Sequence, residues 1–206
     1  MLCIQNLYYH PPAAPEAILK NISFELQDRQ LGVMVGPSGS GKSTLLEILA
    51  GFVEWTSGNI YWKSQELTPD HLQQICGLVF QFPERHFCGS TILEELRLGH
   101  IELDSDRIQS ALNAVGLSHL NPSTSPQSLS GGQQRRLALA VQLIRQPSLL
   151  LLDEPTAGLD WSMRRQILGI LEDLKKNWTI LVVTHEPEEL VSMADQTWVI
   201  AHGEIA

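Results

Sequence analysis

The stretch Gly36-Pro37-Ser38-Gly39-Ser40-Gly41-Lys42-Ser43-Thr44 narrows the folds open to this chain more than any other. It matches G-x-x-x-x-G-K-[ST], a loop for holding a nucleoside triphosphate. The apolar run Leu31 to Val35 leads into it and reads as a buried strand. Behind it Leu45, Leu46, Ile48 and Leu49 recur at helical spacing until Gly51 offers a stop. Strand, glycine-rich turn and helix start are the context that the pattern requires. The glycines let the main chain wrap closely around phosphate, with N–H groups pointing inward and the positive helix end adding its field. Lys42 would reach the outer phosphates, and the Ser43 hydroxyl would be a ligand of Mg²⁺. The plainer alternative is a glycine-rich turn that merely joins a strand to a helix.

A chain of 206 residues has room for one domain with a sizeable core, or a main domain with a smaller one attached. Its 43% hydrophobic and 18% charged residues are those of a soluble globular protein. A formal net charge of -9 leaves no broad basic surface for nucleic acid, so no nucleic-acid partner is expected. Arg135, Arg136, Arg164 and Arg165 could still form a local basic patch. Cys3, Cys76 and Cys88 are scattered, with no C-x-x-C pair, which argues against a disulfide framework or zinc site and suits a reducing compartment. No apolar run is long enough to span a bilayer, and the N-terminus lacks a signal-peptide pattern. If the protein serves a membrane, it does so through a partner.

Along the chain, Leu2, Ile4 and then Ile22, Phe24, Leu26 alternate with polar residues and predict strands with one buried face. The proline-rich run His10 to Pro15 between them is a loop. Thr56-Ser57-Gly58-Asn59 reads as a turn before a strand around Ile60 and Trp62. A further strand is expected from Ile75 to Phe80, ending at Gln81-Phe82-Pro83. From there helical spacing takes over, and roughly 84–147 reads as a helical insertion. Within it Ile108, Leu112 and Val115 share a face, with Asp104 or Ser105 as cap and Gly116 as stop. Leu149-Leu150-Leu151-Leu152 suits a central parallel strand covered on both faces. A long helix with Met163, Ile167, Ile170, Leu171 and Leu174 facing in follows it. Then come a strand from Ile180 to Val183, a helix from Glu186 to Met193, and a short strand from Trp198 to Ala201. Strands alternating with helices predict an α/β domain.

Asp153-Glu154 follows the leucine run at the carboxyl end of its strand, the edge of an open α/β sheet where ligands bind. A carboxylate beside a phosphate loop can hold Mg²⁺ through its water shell. A second one next to it, pointing elsewhere, can polarise an attacking water. Asp153 is assigned to the metal and Glu154 to the water, although the pair could instead cap the next element through Pro155. Leu129-Ser130-Gly131-Gly132-Gln133 precedes an apparent helix from Gln134 to Ile144. Its glycines would expose N–H groups at a helix start, a second anion site apart from the first. A dimer explains two sites if each copy lends this loop to the other's nucleotide; the plain alternative is a capped helix.

The phosphate loop, Gln81, Leu129 to Gln133, Leu151 to Pro155, Ala157-Gly158-Leu159-Asp160 and Thr184-His185 occur in the order seen in ATP-binding cassette (ABC) ATPases. The resemblance covers nearly the whole chain. It implies an α/β, P-loop NTPase domain of the ABC type with three parts: a RecA-like core of about 1–83 and 148–206, an antiparallel β subdomain, and a helical subdomain of about 84–147. It further implies a head-to-tail dimer, with a second copy or a paralogue, holding two ATPs and Mg²⁺ at the interface. In that arrangement Gln81 senses Mg²⁺ and the attacking water, and His185 contacts the γ-phosphate. Asp160 links the two active sites, and Ser130 and Gly132 bind the γ-phosphate of the opposite protomer. The resemblance makes Lys42, Gln81, Glu154 and His185 the catalytic set. It makes Ser43, Gln81 and Asp153 the metal set.

Within the family, Gly77-Leu78-Val79-Phe80-Gln81-Phe82-Pro83-Glu84-Arg85 is similar to energy-coupling-factor (ECF) importer ATPases for metals and vitamins. Tyr9-His10-Pro11-Pro12, the compact length and Ala157-Gly158-Leu159-Asp160-Trp161 look closer to a non-intrinsic ABC ATPase of chloroplasts and cyanobacteria linked to metal homeostasis. The function implied is an ATPase that energises a transmembrane transporter subunit of ECF type. It would be cytoplasmic and peripheral on the inner face of the plasma membrane. A soluble ABC ATPase of a non-transport assembly, such as an iron–sulfur scaffold, is the alternative. A binding module without turnover is a third, and Glu154 argues against it. Two departures stand out. The aromatic that usually stacks on adenine falls at Pro11, which could pack on the base only weakly, and Tyr9 lies two residues earlier. The C-terminal helices with which many ECF ATPases dimerise are not seen after Ala201, so the expectation is a monomer that dimerises with ATP. In Pro83 to Ser90, Phe82 and Phe87 flanking Arg85 and His86 suit a surface for the membrane subunit; the alternative is that both rings fill the boundary between the lobes.

Overall fold

The computed structural model describes residues 1–12, 14–99 and 102–206; Ala13 of the proline-rich loop, and His100 and Ile101 of the helical stretch, lie outside the described residues. Two sheets organise the described chain. The larger has the order β10-β9-β3-β8-β7-β6. Its strands are β3 (Leu31–Val35), β6 (Cys76–Val79), β7 (Leu149–Asp153), β8 (Thr179–Thr184), β9 (Gln196–Ala201) and β10 (Glu204–Ile205). All pairings are parallel except the closing hairpin of β9 with β10. The smaller sheet is antiparallel, in the order β2-β1-β4-β5, from β1 (Leu2–Tyr9), β2 (Leu19–Leu26), β4 (Ser57–Trp62) and β5 (Gln65–Glu66).

The central strands are apolar from Leu149 to Leu152 and from Ile180 to Val183 because both faces are covered. Successive side chains point to opposite faces of a strand, and the packing follows that alternation. Leu150, Leu152, Ile180 and Val182 join the core on one side, together with α4 (Ser105–Ala114), α5 (Gly131–Ile144) and α6 (Trp161–Leu174). Leu149, Leu151, Leu181 and Val183 join the core on the other, under α1 (Lys42–Leu49) and the antiparallel sheet. Between β6 and β7 the described chain is helical, with α3 (Ile92–Arg97), α4 and α5.

Register brings the strand ends level. Val35 pairs with Thr184, Asp153 with Val183, and Val79 with Leu152. The phosphate loop, Asp153-Glu154, His185 and Gln81 therefore leave the sheet along one carboxyl edge. The helix starts are set by short polar side chains that accept otherwise orphaned N–H groups. Asp104 caps α4 and Asp160 caps α6, while Ser130 and Gln133 form a reciprocal box at the start of α5.

Several local expectations are corrected. Ser57, Gly58 and Asn59 lie in β4 and pair with β1 instead of making a turn. The pairing shifts register between Gln5 and Tyr8, and a Cβ on Gly58 would come 2.4 Å from the Asn6 carbonyl oxygen. The glycine serves a bulged close approach, which looks like a turn in sequence. Ile75 ends a helix, α2 (Pro69–Ile75), and β6 starts only at Cys76. Thr68 caps α2 and Pro69 occupies its first turn, a start signal that a focus on strands passes over. Helix α5 begins three residues before Gln134, because the Ser130–Gln133 box draws both glycines into its first turn. Helix α7 (Glu188–Met193) starts two residues later than expected.

Candidate active site

The phosphate loop wraps the N-terminus of α1 with the strained backbone that glycine permits. Gly41 sits at φ +101°, and a Cβ there would come 2.7 Å from the Leu19 side chain. At Gly36 a Cβ would come 2.2 Å from the Ile200 carbonyl oxygen, so β9 closes the loop from outside. The Lys42 ammonium folds back over the loop and donates to the carbonyls of Gly36 at 2.7 Å and Pro37 at 2.9 Å. These bonds hold it within the loop, where Lys42 is buried.

A cavity of about 420 Å³ opens in front of the loop. Ser38, Gly39, Gly41, Lys42, Ser43 and Thr44 line one side of it, and Gln81, Asp153, Glu154 and His185 the other, with Ile18 at its rim. Four strand ends thus deliver their polar residues to one space. Burial holds the Asp153 carboxyl above its ordinary range, and the neighbouring Ser43 hydroxyl opposes that shift in part. The Ser43 hydroxyl, the Asp153 carboxylate and the Gln81 amide are all oxygen donors of the hard kind that Mg²⁺ takes. Among the described residues no cluster of three or more His, Cys, Asp or Glu could hold a metal alone. Mg²⁺ fits that arrangement, since it keeps waters and shares phosphate oxygens instead of filling a protein cage.

Glu154 is 6% exposed and stands at φ +49°, a turn away from the strand that aims it differently from Asp153. Its carboxylate accepts from the Thr184 hydroxyl at 2.9 Å, the His185 amide at 2.9 Å and His185 Nδ1 at 2.6 Å. Its own N–H donates to the Val183 carbonyl at 3.0 Å. The two adjacent acids are separated in role by their partners: one faces the hydroxyl of α1, the other the turn after β8.

The remaining expected site residues lie elsewhere. Pro11 does not line the cavity, and the apolar wall there is Ile18. Ser130, Gly132 and Asp160 lie outside it as well, at the first turns of α5 and α6. Those turns touch: a Cβ on Gly132 would come 2.6 Å from the Met163 sulfur. Asp160 accepts from the Met163 amide at 2.9 Å. Sequence reasoning missed Thr184 as a holder of Glu154 and Ile18 at the rim. Thr184 was visible as a polar residue ending an apolar strand; an isoleucine before β2 carries no signal of its own.

The chain is similar to known proteins of one family. The family described as ABC transporter matches residues 19–157. The chain is 41% identical to the chloroplastic ABC transporter I family member 11 of Arabidopsis thaliana, over 97% of this chain and 78% of the relative. It is 36% identical to the energy-coupling factor transporter ATP-binding protein EcfA2 of Clostridioides difficile, over 94% of this chain and 72% of the relative. The solved cbiO1 of Clostridium perfringens, described as part of the ABC transporter complex cbiONQ, superposes with a TM-score of 0.91. It is 28% identical, with 100% of this chain and 86% of that one covered. A dimeric ATP-binding cassette in a post-hydrolysis state with ADP and Pi gives a TM-score of 0.84 at 28% identity, covering 100% of this chain and 96% of that one.

Proposed function

The chain belongs to the ABC transporter family, and on that premise we propose that it energises an ECF-type importer of a metal ion or vitamin. It is an ATPase that uses ATP with Mg²⁺, and it works as a dimer beside a transmembrane partner. Among the described residues no helix is long and apolar enough to cross a membrane. The names of its relatives, a transporter ATP-binding protein and a part of the cbiONQ transporter complex, support a peripheral place on the inner face of the plasma membrane. The observation that carries the catalytic part is the buried Glu154 carboxylate, oriented by Thr184 and His185 across the cavity from the phosphate loop.

The loop amides and Lys42 hold the β- and γ-phosphates of ATP, and Ser43, Asp153 and Gln81 hold the metal. When bound, Mg²⁺ would offset the negative charge that develops on the phosphate oxygens. Glu154 takes the proton of the attacking water, and the fixed donors around its carboxylate keep it aimed. His185 contacts the γ-phosphate from the other side, where its ring reaches the cavity. The Ser130–Gly132 turn offers its N–H groups to the nucleotide of the second copy, and Asp160 links the two sites across the dimer. Ser130 and Gly132 stand at the start of α5 and do not line the cavity in front of the phosphate loop, which favours a role for that turn in trans.

The test of the transport part is purification of the full chain from detergent-solubilised membranes. An integral membrane subunit in stoichiometric amount is expected, and the reconstituted complex should take up a metal ion or vitamin only with ATP. Recovery of the chain free of any membrane subunit, at full ATPase activity, would overturn the importer reading.

A further inference from the structure

Arg135 stands in the second turn of α5 and is only 7% exposed. Its guanidinium Nη1 donates to three main-chain carbonyls: Ala157 at 2.8 Å, Pro155 at 3.1 Å and Glu154 at 3.3 Å. Those carbonyls belong to the turn that leaves β7 and carries both Glu154 and the chain toward Asp160. The turn therefore forms a cup of oxygens, and Arg135 is the cation that fills it. Burial pulls the Arg135 pKa below its ordinary value, and the negative charge of Glu84 on the segment after Gln81 opposes that shift. A buried charge is kept at such a cost only where its partners are well placed.

The geometry has a mechanical consequence. Glu154 is held at φ +49°, in a left-handed conformation that a non-glycine residue adopts only when its surroundings fix it. Its N–H is fixed by the Val183 carbonyl and its C=O by Arg135. Five residues of helix, about 7–8 Å of rise, separate Arg135 from Ser130. The capping box of Ser130 with Gln133 makes that span rigid from its first residue. A second tie lies behind it, where Gly132 packs on Met163 of α6.

We propose that Arg135 is a positioning residue for hydrolysis, joining the Ser130 end of α5 and the Glu154 turn into one moving body. The base is then aligned when the Ser130 turn is seated on the nucleotide of the second copy. This rests on the assignment of Glu154 to the water and of the Ser130 turn to the partner's nucleotide. Arg135 itself does not line the cavity in front of the phosphate loop.

The test is a cycle of the full chain, Arg135→Met, Glu154→Gln and the double variant, read by single-turnover ATP hydrolysis and by ATP affinity. Arg135→Met is expected to slow hydrolysis at least tenfold with ATP affinity within threefold of the parent. On the Glu154→Gln background the same change is expected to cost less than twofold more, because it acts through Glu154. A parent-like rate for Arg135→Met overturns the proposal. If Glu154→Gln is slow and the double variant loses the product of both factors, Arg135 does not act through Glu154 and its role alone is overturned. A parent-like rate for Glu154→Gln overturns both this proposal and the reading beneath it. Should Arg135→Met fail to fold, Arg135→Lys decides, since an ammonium cannot span all three carbonyls. A folded Lys variant with normal ATP affinity and hydrolysis down at least threefold upholds the role, and one with full turnover overturns it.

Discussion

His185 Nδ1 lies 2.6 Å from the Glu154 carboxylate, and the His185 amide binds the same oxygen at 2.9 Å. One residue thus holds the carboxylate through both its ring and its main chain. With the Thr184 hydroxyl on the other oxygen, the side chain has little freedom to rotate. For the proposed role of Glu154 as general base, a carboxylate fixed in this way needs little reorganisation when a proton arrives.

Glu154→Gln keeps the size of the side chain and one acceptor but removes the charge. It is expected to lower ATP hydrolysis on the order of a hundredfold or more, the scale for a positioned base. ATP binding should survive, because the phosphate loop and Lys42 are untouched. The variant should also accumulate as a dimer with ATP and be a monomer without it. Phosphate release and light scattering at micromolar protein check the two halves. Parent-like turnover would remove Glu154 from its assigned role.

Asp153 behaves differently from its neighbour. Burial raises its pKa above the ordinary carboxylate value, and the bond from Ser43 offsets this only in part. A carboxyl with a higher pKa in the fold than in the unfolded chain favours folding while protonated. That contribution is present below the unfolded value and is lost as pH rises through the folded one. At neutral pH the ionised Asp153 therefore weakens the fold until a metal answers it. Asp153→Asn is expected to raise the melting temperature of the free protein at pH 7 while abolishing the added stability from Mg²⁺ and ATP. For a chain this size each kcal/mol relieved is worth roughly 2–4 °C. The rise should fade as the pH falls through the raised folded value of Asp153 and be gone below the unfolded value of about 3.9, where the parent side chain is protonated in both states. A variant that melts below the parent at pH 7 would show that the Asp153–Ser43 bond outweighs the burial cost.

Much of the site was legible because its parts are local. A strand, a glycine turn and a helix start announce Gly36 to Thr44 within a dozen residues, and Asp153-Glu154 follows four leucines directly. Thr184 stood out as a polar strand end, but that it and Arg135 hold Glu154 was not legible, since they reach it from β8 and α5 across the sequence. Only the register of β7 on β8 brings Thr184 level with it. The same limit applies to Gly58, whose purpose depends on the approach of Asn6. Helix starts were misjudged where capping overrode composition, as at Ser130, because glycine lowers helix propensity but does not forbid a first turn.

Base selectivity follows from the rim of the cavity. Ile18 lines it and Pro11 does not, and no Phe, Tyr or Trp among the described residues lines it. Aromatic stacking is worth roughly 1–3 kcal/mol per base in single-stranded nucleic-acid sites, taken here as a scale. Without it, GTP is expected to bind within about tenfold of ATP. Competition binding with the two nucleotides measures this. A strong preference for ATP that vanishes in Tyr9→Ala would identify Tyr9 as a stacking partner, against this expectation.

The segment after Gln81 is the place where a membrane subunit should be felt. Phe82 is 38% exposed, and the Arg85 guanidinium lies 4.6 Å from the centre of its ring. His86 is exposed and packs on Phe80 at 4.8 Å. The expectation that both phenylalanines face water holds for Phe82 only: Phe87 is half-buried and packs against the core. That difference separates docking from stability. Phe82→Ala and Arg85→Glu alter surface groups and should change stability by no more than about 0.5 kcal/mol. Phe87→Ala should destabilise the fold by less than the roughly 3–5 kcal/mol of a fully buried phenylalanine. An exposed aromatic and arginine are the residue types that anchor small interfaces. Both surface variants are therefore expected to keep basal ATPase activity and melting temperature, yet to lose at least tenfold in recovery of the membrane subunit. Thermal melts run beside co-purification from membranes read out both effects. Full recovery of the membrane subunit by Phe82→Ala and Arg85→Glu together would place the contact elsewhere on the chain.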